Sequence, residues 1–126
     1  MAFWRDQVIQ PALDSDIDAS VREQEAILAR DPGNAPAHFA LGTLAYFRGQ
    51  VDAAVTYFLR AIELDPEYAA PHVSLGRIEI ARGNYDEAWK QAREAGRLGD
   101  RSLVEQLERY PRASFGSSPS RRWGAR

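Results

Sequence analysis

Apolar residues recur along the middle of the chain with the spacing of helices. From 36 to 48 they cover most of the circumference of one helix, at Phe39, Leu41, Leu44, Ala45 and Phe47. From 52 to 64 they fall on one face, at Ala54, Phe58, Ala61 and Ile62. The first pattern predicts a helix that is buried on two sides, and the second predicts an amphipathic helix beside it.

Residues that start and stop helices flank both segments. Asn34 is a suitable N-cap for the first helix, and Pro36 is tolerated because the first turn's amides have no partner within the helix. Gly49 can adopt the left-handed conformation that ends a helix. Asp65 precedes Pro66, and a residue before proline avoids the helical conformation, so the second helix should end there.

The helix pair occurs twice, and the second copy follows directly after the first. Ten positions are identical between the two copies, at Ala35/Ala69, His38/His72, Leu41/Leu75, Gly42/Gly76, Arg48/Arg82, Gly49/Gly83, Asp52/Asp86, Ala54/Ala88, Ala61/Ala95 and Leu64/Leu98. This self-similarity at a constant offset indicates a tandem repeat. It predicts a further helix at 69–82, a stop at Gly83 and a last repeat helix at 85–98.

Two of the repeated residues are glycines in the middle of helices. Gly42 and Gly76 each lower helix stability by about 1 kcal/mol relative to alanine. Such a cost is reasonable where a second helix approaches closely. We therefore expect tight helix contacts at both glycines, with further clearance from the repeated alanines.

In this pattern the chain resembles the tetratricopeptide repeat family. The family's signature is a bulky residue, then Leu-Gly, an aromatic, Ala, an aromatic, Ala and Pro, at fixed places in each repeat unit. The first copy carries it at His38, Leu41, Gly42, Ala45, Ala54, Phe58, Ala61 and Pro66. The second copy departs further, because Ala92 replaces the aromatic residue and Asp100 the proline; its positions are His72, Leu75, Gly76, Glu79, Ala88, Ala92, Ala95 and Asp100.

The resemblance implies an all-α fold, a short right-handed superhelix of antiparallel helix hairpins. We expect repeat units at 35–68 and 69–102, after an N-terminal segment, 1–34, with a degenerate repeat helix at 19–32. Pro11 should interrupt any helix before it. Ser102 to Glu105 form a capping-box pattern that predicts a short capping helix at 103–110, before a basic tail at 111–126.

The first helix of each unit lines a concave groove in this family, and the resemblance transfers that role by register. The corresponding residues are Phe39, Thr43, Tyr46 and Phe47 in the first unit and Val73, Arg77 and Ile80 in the second. They predict a mainly apolar groove for an apolar or amphipathic partner segment. The alternative is that some of them, Phe39 and Phe47 above all, belong to the core.

A subgroup of the family holds the carboxylate at the C-terminus of chaperones with a clamp of Lys, Asn and Arg side chains. In this chain the clamp positions fall on Phe39, Thr43, Ser74, Val104 and Glu108. Shifting the register one unit upstream supplies no clamp either. We therefore do not expect this kind of chaperone binding.

Charge is distributed unevenly along the chain. Residues 1–108 carry 11 basic and 18 acidic side chains, whereas residues 109–126 carry five arginines and no acid. Trp and Arg often anchor interfaces, so the tail is a second candidate for partner binding, through Arg121, Arg122 and Trp123. Nucleic-acid binding by this tail is an alternative, which the acidic body disfavours.

Catalytic and metal-binding patterns are weak. The chain has no cysteine and two histidines, His38 and His72, which occupy equivalent positions where the family packs a large ring. Ser74 and His72 lie two residues apart and point to different helix faces. We expect no enzymatic activity, no metal and no cofactor.

No apolar run is long enough to span a membrane, and residues 1–6 lack the pattern of a signal peptide. We therefore expect a cytoplasmic protein that meets membranes only through a partner. Together these patterns predict a non-enzymatic adaptor, scaffold or assembly subunit of a larger complex, which binds a protein or peptide. Self-association into a homo-oligomer is the alternative within the same class.

Overall fold

A computed structural model describes residues 10–109, and their side chains from Ser15 onward. These residues form helices joined by short turns and contain no strand, so the predicted all-α class is confirmed. The helices are α1 (Gln10–Arg30), α2 (Ala35–Phe47), α3 (Val51–Leu64), α4 (Ala69–Ala81), α5 (Tyr85–Arg97) and α6 (Ser102–Arg109).

The chain divides into two compact units, Met1–Tyr57 and Phe58–Arg126. In the first unit α1 packs against α2, and in the second α4 packs against α5 while α6 contacts both. Helix α3 runs across the boundary between the units.

Helix α1 is longer than the sequence pattern predicts. It begins at Gln10 rather than near Ala19, and Pro11 is its second residue. A proline in the first turn removes no hydrogen bond, so Pro11 is compatible with this helix. The expected interruption concerned a helix before it, and residues 1–9 lie outside the described residues. One side of α1 is half-buried, at Ile17, Ser20, Val21, Gln24, Ile27 and Leu28, which is the spacing of an amphipathic helix.

The ends of α2 follow the predicted signals. Asn34 is the N-cap, and its Oδ1 accepts a hydrogen bond of 2.9 Å from the amide of Ala37. At the other end Gly49 has a φ of 80°, and its amide donates to the carbonyl of Tyr46. Gly83 ends α4 in the same way, with a φ of 81°. The two glycines occupy the same place in successive units, so the repeat extends to backbone conformation.

Gly76 confirms the predicted close approach of helices in the second unit. It is buried, and a Cβ atom at this position would overlap the Cδ2 of Leu103 and lie 3.3 Å from the Cβ of Gln91. Leu103 belongs to α6 and is fully buried. The missing side chain of Gly76 is therefore the space in which α6 packs against α4.

The core of the second unit forms around α5 and α6. Its buried members are Ala88, Ala92, Leu103, Val104 and Leu107, with Ile80 and Trp89 packed against them. Three of these residues come from α6, so this short helix closes the core. The predicted capping helix is therefore present, one residue earlier than expected.

The hydrogen bonds at the start of α6 differ from the predicted capping box. Ser102 does not cap the helix with its hydroxyl, which donates instead to Oδ1 of Asp100 at 2.6 Å. The same oxygen accepts the amide of Ser102 at 3.0 Å, while the amide of Glu105 donates to the carbonyl of Arg101. Asp100 thus holds the turn before α6, at the repeat position that the proline of the signature occupies in the first unit.

Candidate functional site

Helix α2 is uncharged over its whole length. Its 13 residues contain no Asp, Glu, Lys or Arg, and five of them are buried. Its most exposed large side chains come at the C-terminal end, where Tyr46 is 42% and Phe47 is 68% exposed. The alternative that Phe47 belongs to the core is therefore not what the structure shows.

The other two predicted residues of α2 extend this surface toward the N-terminus. Phe39 and Thr43 are both half-buried, and the Thr43 hydroxyl donates to the carbonyl of Phe39 at 3.2 Å. We call Phe39, Thr43, Tyr46 and Phe47 the α2 face. Because a helix rises 1.5 Å per residue, the face is about 12 Å long.

An ion pair joins the end of α2 to α1. Arg48 is the C-cap of α2, and its guanidinium contacts the carboxylate of Asp18. The backbone amide of Arg48 donates to carbonyls of the last turn of α2. A cation near the C-terminus of a helix also complements the helix dipole. Through these three interactions Arg48 holds the end of α2, which carries Tyr46 and Phe47.

His38 precedes Phe39 on α2 and occupies the bulky position of the repeat. Its Nε2 is 3.2 Å from the carbonyl oxygen of Pro32, and its ring centre is 6.4 Å from that of Tyr57. Its Nδ1 is buried without a hydrogen-bond partner. The ring therefore packs as a large side chain, and only one of its nitrogens has a partner.

The equivalent histidine of the second unit is held differently. His72 is 9% exposed, and its Nδ1 lies 2.7 Å from the Oε1 of Gln91, with the ring N–H donating. Gln91 has the same place in the second unit that Tyr57 has in the first, so the two histidines meet the same position of the next helix. One contact is between rings, and the other is a hydrogen bond.

The predicted groove residues of the second unit do not form one exposed surface. Val73 is buried, with 6% of its area exposed. Ile80 packs against the core cluster that α6 closes, and only Arg77 is exposed. In the structure of the free chain, Val73 and Ile80 thus contribute mainly to packing.

Arg77 acts on a carboxylate of its own unit. The pKa of Asp100 is lowered below its ordinary value of 3.8, first by the hydrogen bonds from the Ser102 hydroxyl and amide and then by the charge of Arg77. Partial burial of Asp100 opposes this effect. Arg77, the one cation among the predicted groove residues, therefore interacts electrostatically with the carboxylate of Asp100.

Leu59 is an exposed apolar residue that the sequence reasoning missed. It lies on α3 and is 49% exposed. The signal was available, because the equivalent residue of the second unit is Arg93, which is exposed. A repeat position that accepts arginine is a surface position, so Leu59 should have been expected there.

The predicted tail residues, Arg121, Arg122 and Trp123, lie outside the described residues. Among residues 10–109, no three His, Cys, Asp or Glu side chains come together as a metal site would require. Within the same range, no helix has the length and apolar character that crossing a membrane would demand.

Comparison with known proteins agrees with the helix pattern. The model of the tetratricopeptide repeat matches the chain twice, over residues 14–69 and 39–102. Its first match begins within α1, so the repeat pattern extends upstream of the two clear units. No curated protein matches the chain. The matched residues cover more than half of the sequence, and the chain belongs to the tetratricopeptide repeat family.

Proposed function

We propose that the chain is a non-enzymatic adaptor or assembly subunit that binds a partner protein on the α2 face. Tetratricopeptide repeats generally mediate protein–protein interactions, and their domains are typically interaction modules without catalytic activity. The α2 face comprises Phe39, Thr43, Tyr46 and Phe47, in the helix that lines the binding groove in this family.

The observation that carries the proposal is the exposure of Phe47 beside Tyr46. Burying an aromatic side chain stabilises a protein by about 1.5–3 kcal/mol relative to leaving it exposed. Phe47 forgoes most of that stabilisation, with 68% of its area exposed. A partner that covers the adjacent aromatic pair would recover it, and aromatic residues are frequent anchors of interfaces.

The tail provides a second proposed contact. Residues 109–126 contain five arginines and no acid, with Trp123 beside Arg121 and Arg122. These residue types often dominate the binding energy of interfaces. We propose that they add contacts to a partner that is already held on the α2 face.

The test is quantitative affinity purification from the native host with three tagged forms: wild type, Phe47→Ser and Leu59→Ser. Leu59 is the matched control, because it is also exposed and apolar but lies on another helix. We expect partners recovered with wild type to fall by about 10-fold or more with Phe47→Ser, since a hot-spot residue contributes about 2 kcal/mol. Leu59→Ser should recover them normally.

Thermal unfolding of all three forms controls for folding. Because residue 47 is mostly exposed, its substitution should change stability by less than about 0.5 kcal/mol. Equal recovery of the same partners by wild type and Phe47→Ser would refute the proposed role of the α2 face.

A further inference from the structure

We infer that the segment held on the α2 face is a basic amphipathic helix of the partner, with apolar anchors toward α2 and Lys or Arg side chains beside them. This inference rests on the proposed function and names the chemistry of its partner. All residues of the α2 face belong to the first unit.

The α2 face accepts apolar side chains because it presents no charge and few unmet polar groups. Helix α2 contains no ionisable acid or base of the Asp, Glu, Lys or Arg type. The Thr43 hydroxyl already donates to the carbonyl of Phe39. An apolar partner therefore leaves that donor satisfied when water is removed, which avoids a desolvation cost.

The length of the face fits about two turns of a partner helix. Phe39 and Phe47 are eight residues apart, which corresponds to about 12 Å along α2. Apolar anchors of a helix at i, i+4 and i+7 span a similar distance, about 11 Å. One amphipathic helix of the partner can thus contact the whole face.

The charge around the α2 face favours one sign of charge on the partner segment. Residues 15–57 carry six acidic side chains and three basic ones. Arg48 pairs with Asp18, so five acids and two bases lie outside that ion pair. On α1, which packs against α2, the exposed charged residues from Ser15 onward and outside that ion pair are Asp16, Glu23 and Glu25, together with Arg22 and Arg30. The net negative charge of residues 15–57 attracts cations to an uncharged stripe and repels carboxylates over about a Debye length, roughly 8–10 Å.

The experiment measures peptide binding to the full chain by fluorescence anisotropy. Three labelled peptides of about 18 residues are compared. Two share one apolar helix face and differ in a polar face of Lys and Arg or of Glu, and the third keeps the cations but replaces the apolar face with Gln and Ser. Each is titrated with wild type, Phe47→Ser and Leu59→Ser.

We expect the basic amphipathic peptide to bind about 10-fold or more tightly than the acidic one at low salt, with the advantage shrinking as salt rises. Phe47→Ser should weaken its binding about 10-fold, and Leu59→Ser less than about 2-fold. The third peptide should bind weakly to every form. Equal or tighter binding of the acidic peptide, or equal losses in the two variants, would overturn the inference.

A cross-linking experiment separates failure of this inference from failure of the proposed function. A photoreactive phenylalanine analogue replaces Phe47 in the full chain, and the captured segment is identified in native extract. Capture of a basic amphipathic segment supports the inference. Capture of an acidic segment, or of residues 110–126 of this chain, overturns the inference. Recovery of partners that is insensitive to Phe47→Ser removes the proposed function itself.

Discussion

Gly76 and Gly96 show how one residue type has opposite roles at two helical positions. A Cβ at Gly76 would overlap buried Leu103, whereas a Cβ at Gly96 would meet Val104 at 3.7 Å, an ordinary contact. Helix propensity favours alanine over glycine at both positions by up to about 1 kcal/mol. Packing therefore decides which substitution the protein tolerates.

We predict that Gly96→Ala stabilises the protein by about 0.5 kcal/mol, since it gains helix propensity without a clash. Gly76→Ala should destabilise it by about 1 kcal/mol, because overpacking costs about 1–3 kcal/mol and outweighs the propensity gain. Urea denaturation of both variants measures the difference. Stabilisation by Gly76→Ala equal to that by Gly96→Ala would show that α6 does not pack tightly there.

The hydrogen bond between His72 and Gln91 gives a second prediction at the residue scale. Gln91→Ala removes the acceptor of a buried ring N–H, so we expect a loss of about 1–3 kcal/mol in the free energy of unfolding. Arg93→Ala, at an exposed position of the same helix, is the control and should change stability by less than about 0.5 kcal/mol.

A double variant tests the physical cause of that loss. In His72→Phe with Gln91→Leu, both polar partners become apolar, so no buried donor is left unpaired. The double variant should be less destabilised than Gln91→Ala alone. The single variants His72→Phe and Gln91→Leu are measured as well. If the double variant loses as much free energy of unfolding as the two single variants lose together, the hydrogen bond contributes nothing specific.

At the scale of elements, the turn before α6 decides how the second unit is closed. Asp100 accepts the amide and the hydroxyl of Ser102. From that turn α6 places Leu103, Val104 and Leu107 in the core. A single carboxylate thus orients the short helix on which the packing at Gly76 depends.

This arrangement predicts a pH dependence of stability. The pKa of Asp100 is below 3.8 in the folded chain, so its ionised form is stabilised by folding. The contribution of this carboxylate to the free energy of unfolding is fully present above the pKa that Asp100 has in the unfolded chain. It is lost as the pH falls through the lower pKa that Asp100 has in the folded chain. Denaturation at a series of pH values from about 6 downward should show Asp100→Asn destabilising at the higher pH and progressively less destabilising as the pH falls.

Ser102→Ala is the matched variant for this pH effect. It removes the hydroxyl that is the largest cause of the lowered pKa of Asp100, while the amide of residue 102 and Arg77 remain. We expect it to lose part of the pH-dependent stability that Asp100→Asn loses entirely. A destabilisation by Asp100→Asn that is the same at every pH of the series would rule out the ionised carboxylate as its cause.

At the scale of the whole molecule, the number of exposed apolar side chains bears on self-association. The large ones among the described residues are Tyr46, Phe47 and Leu59. A stable dimer usually buries about 800 Å² on each partner, with a cluster of apolar residues at its centre. We therefore predict that the purified chain is a monomer in light scattering at micromolar concentration.

The same measurement on Phe47→Ser is the control for that prediction. A wild-type dimer that Phe47→Ser dissociates would show that a second copy of the chain covers the α2 face. The alternative of a self-associating repeat protein would then replace the adaptor proposal. A dimer unaffected by the substitution would place self-association elsewhere and leave the α2 face available.

The helices of the two repeat units, their ends and the family could be predicted from the amino-acid sequence. These features are local or periodic: Gly49 and Gly83 end helices because only glycine readily adopts a positive φ, and the constant offset between the two units repeats the same pattern of residues. The start of α1 was predicted near Ala19 and lies at Gln10. A proline fits a helix in its first turn and breaks one further along, so Pro11 alone does not show where the helix begins.

Which residues of the predicted groove are accessible could not be predicted from the sequence and depends on how the helices pack. Tyr46 and Ile80 occupy equivalent places in successive units, yet Tyr46 is exposed while Ile80 packs against the cluster closed by α6. Periodicity reports which side of a helix a residue occupies. Exposure depends on what packs against that side, which is set by residues distant in the chain.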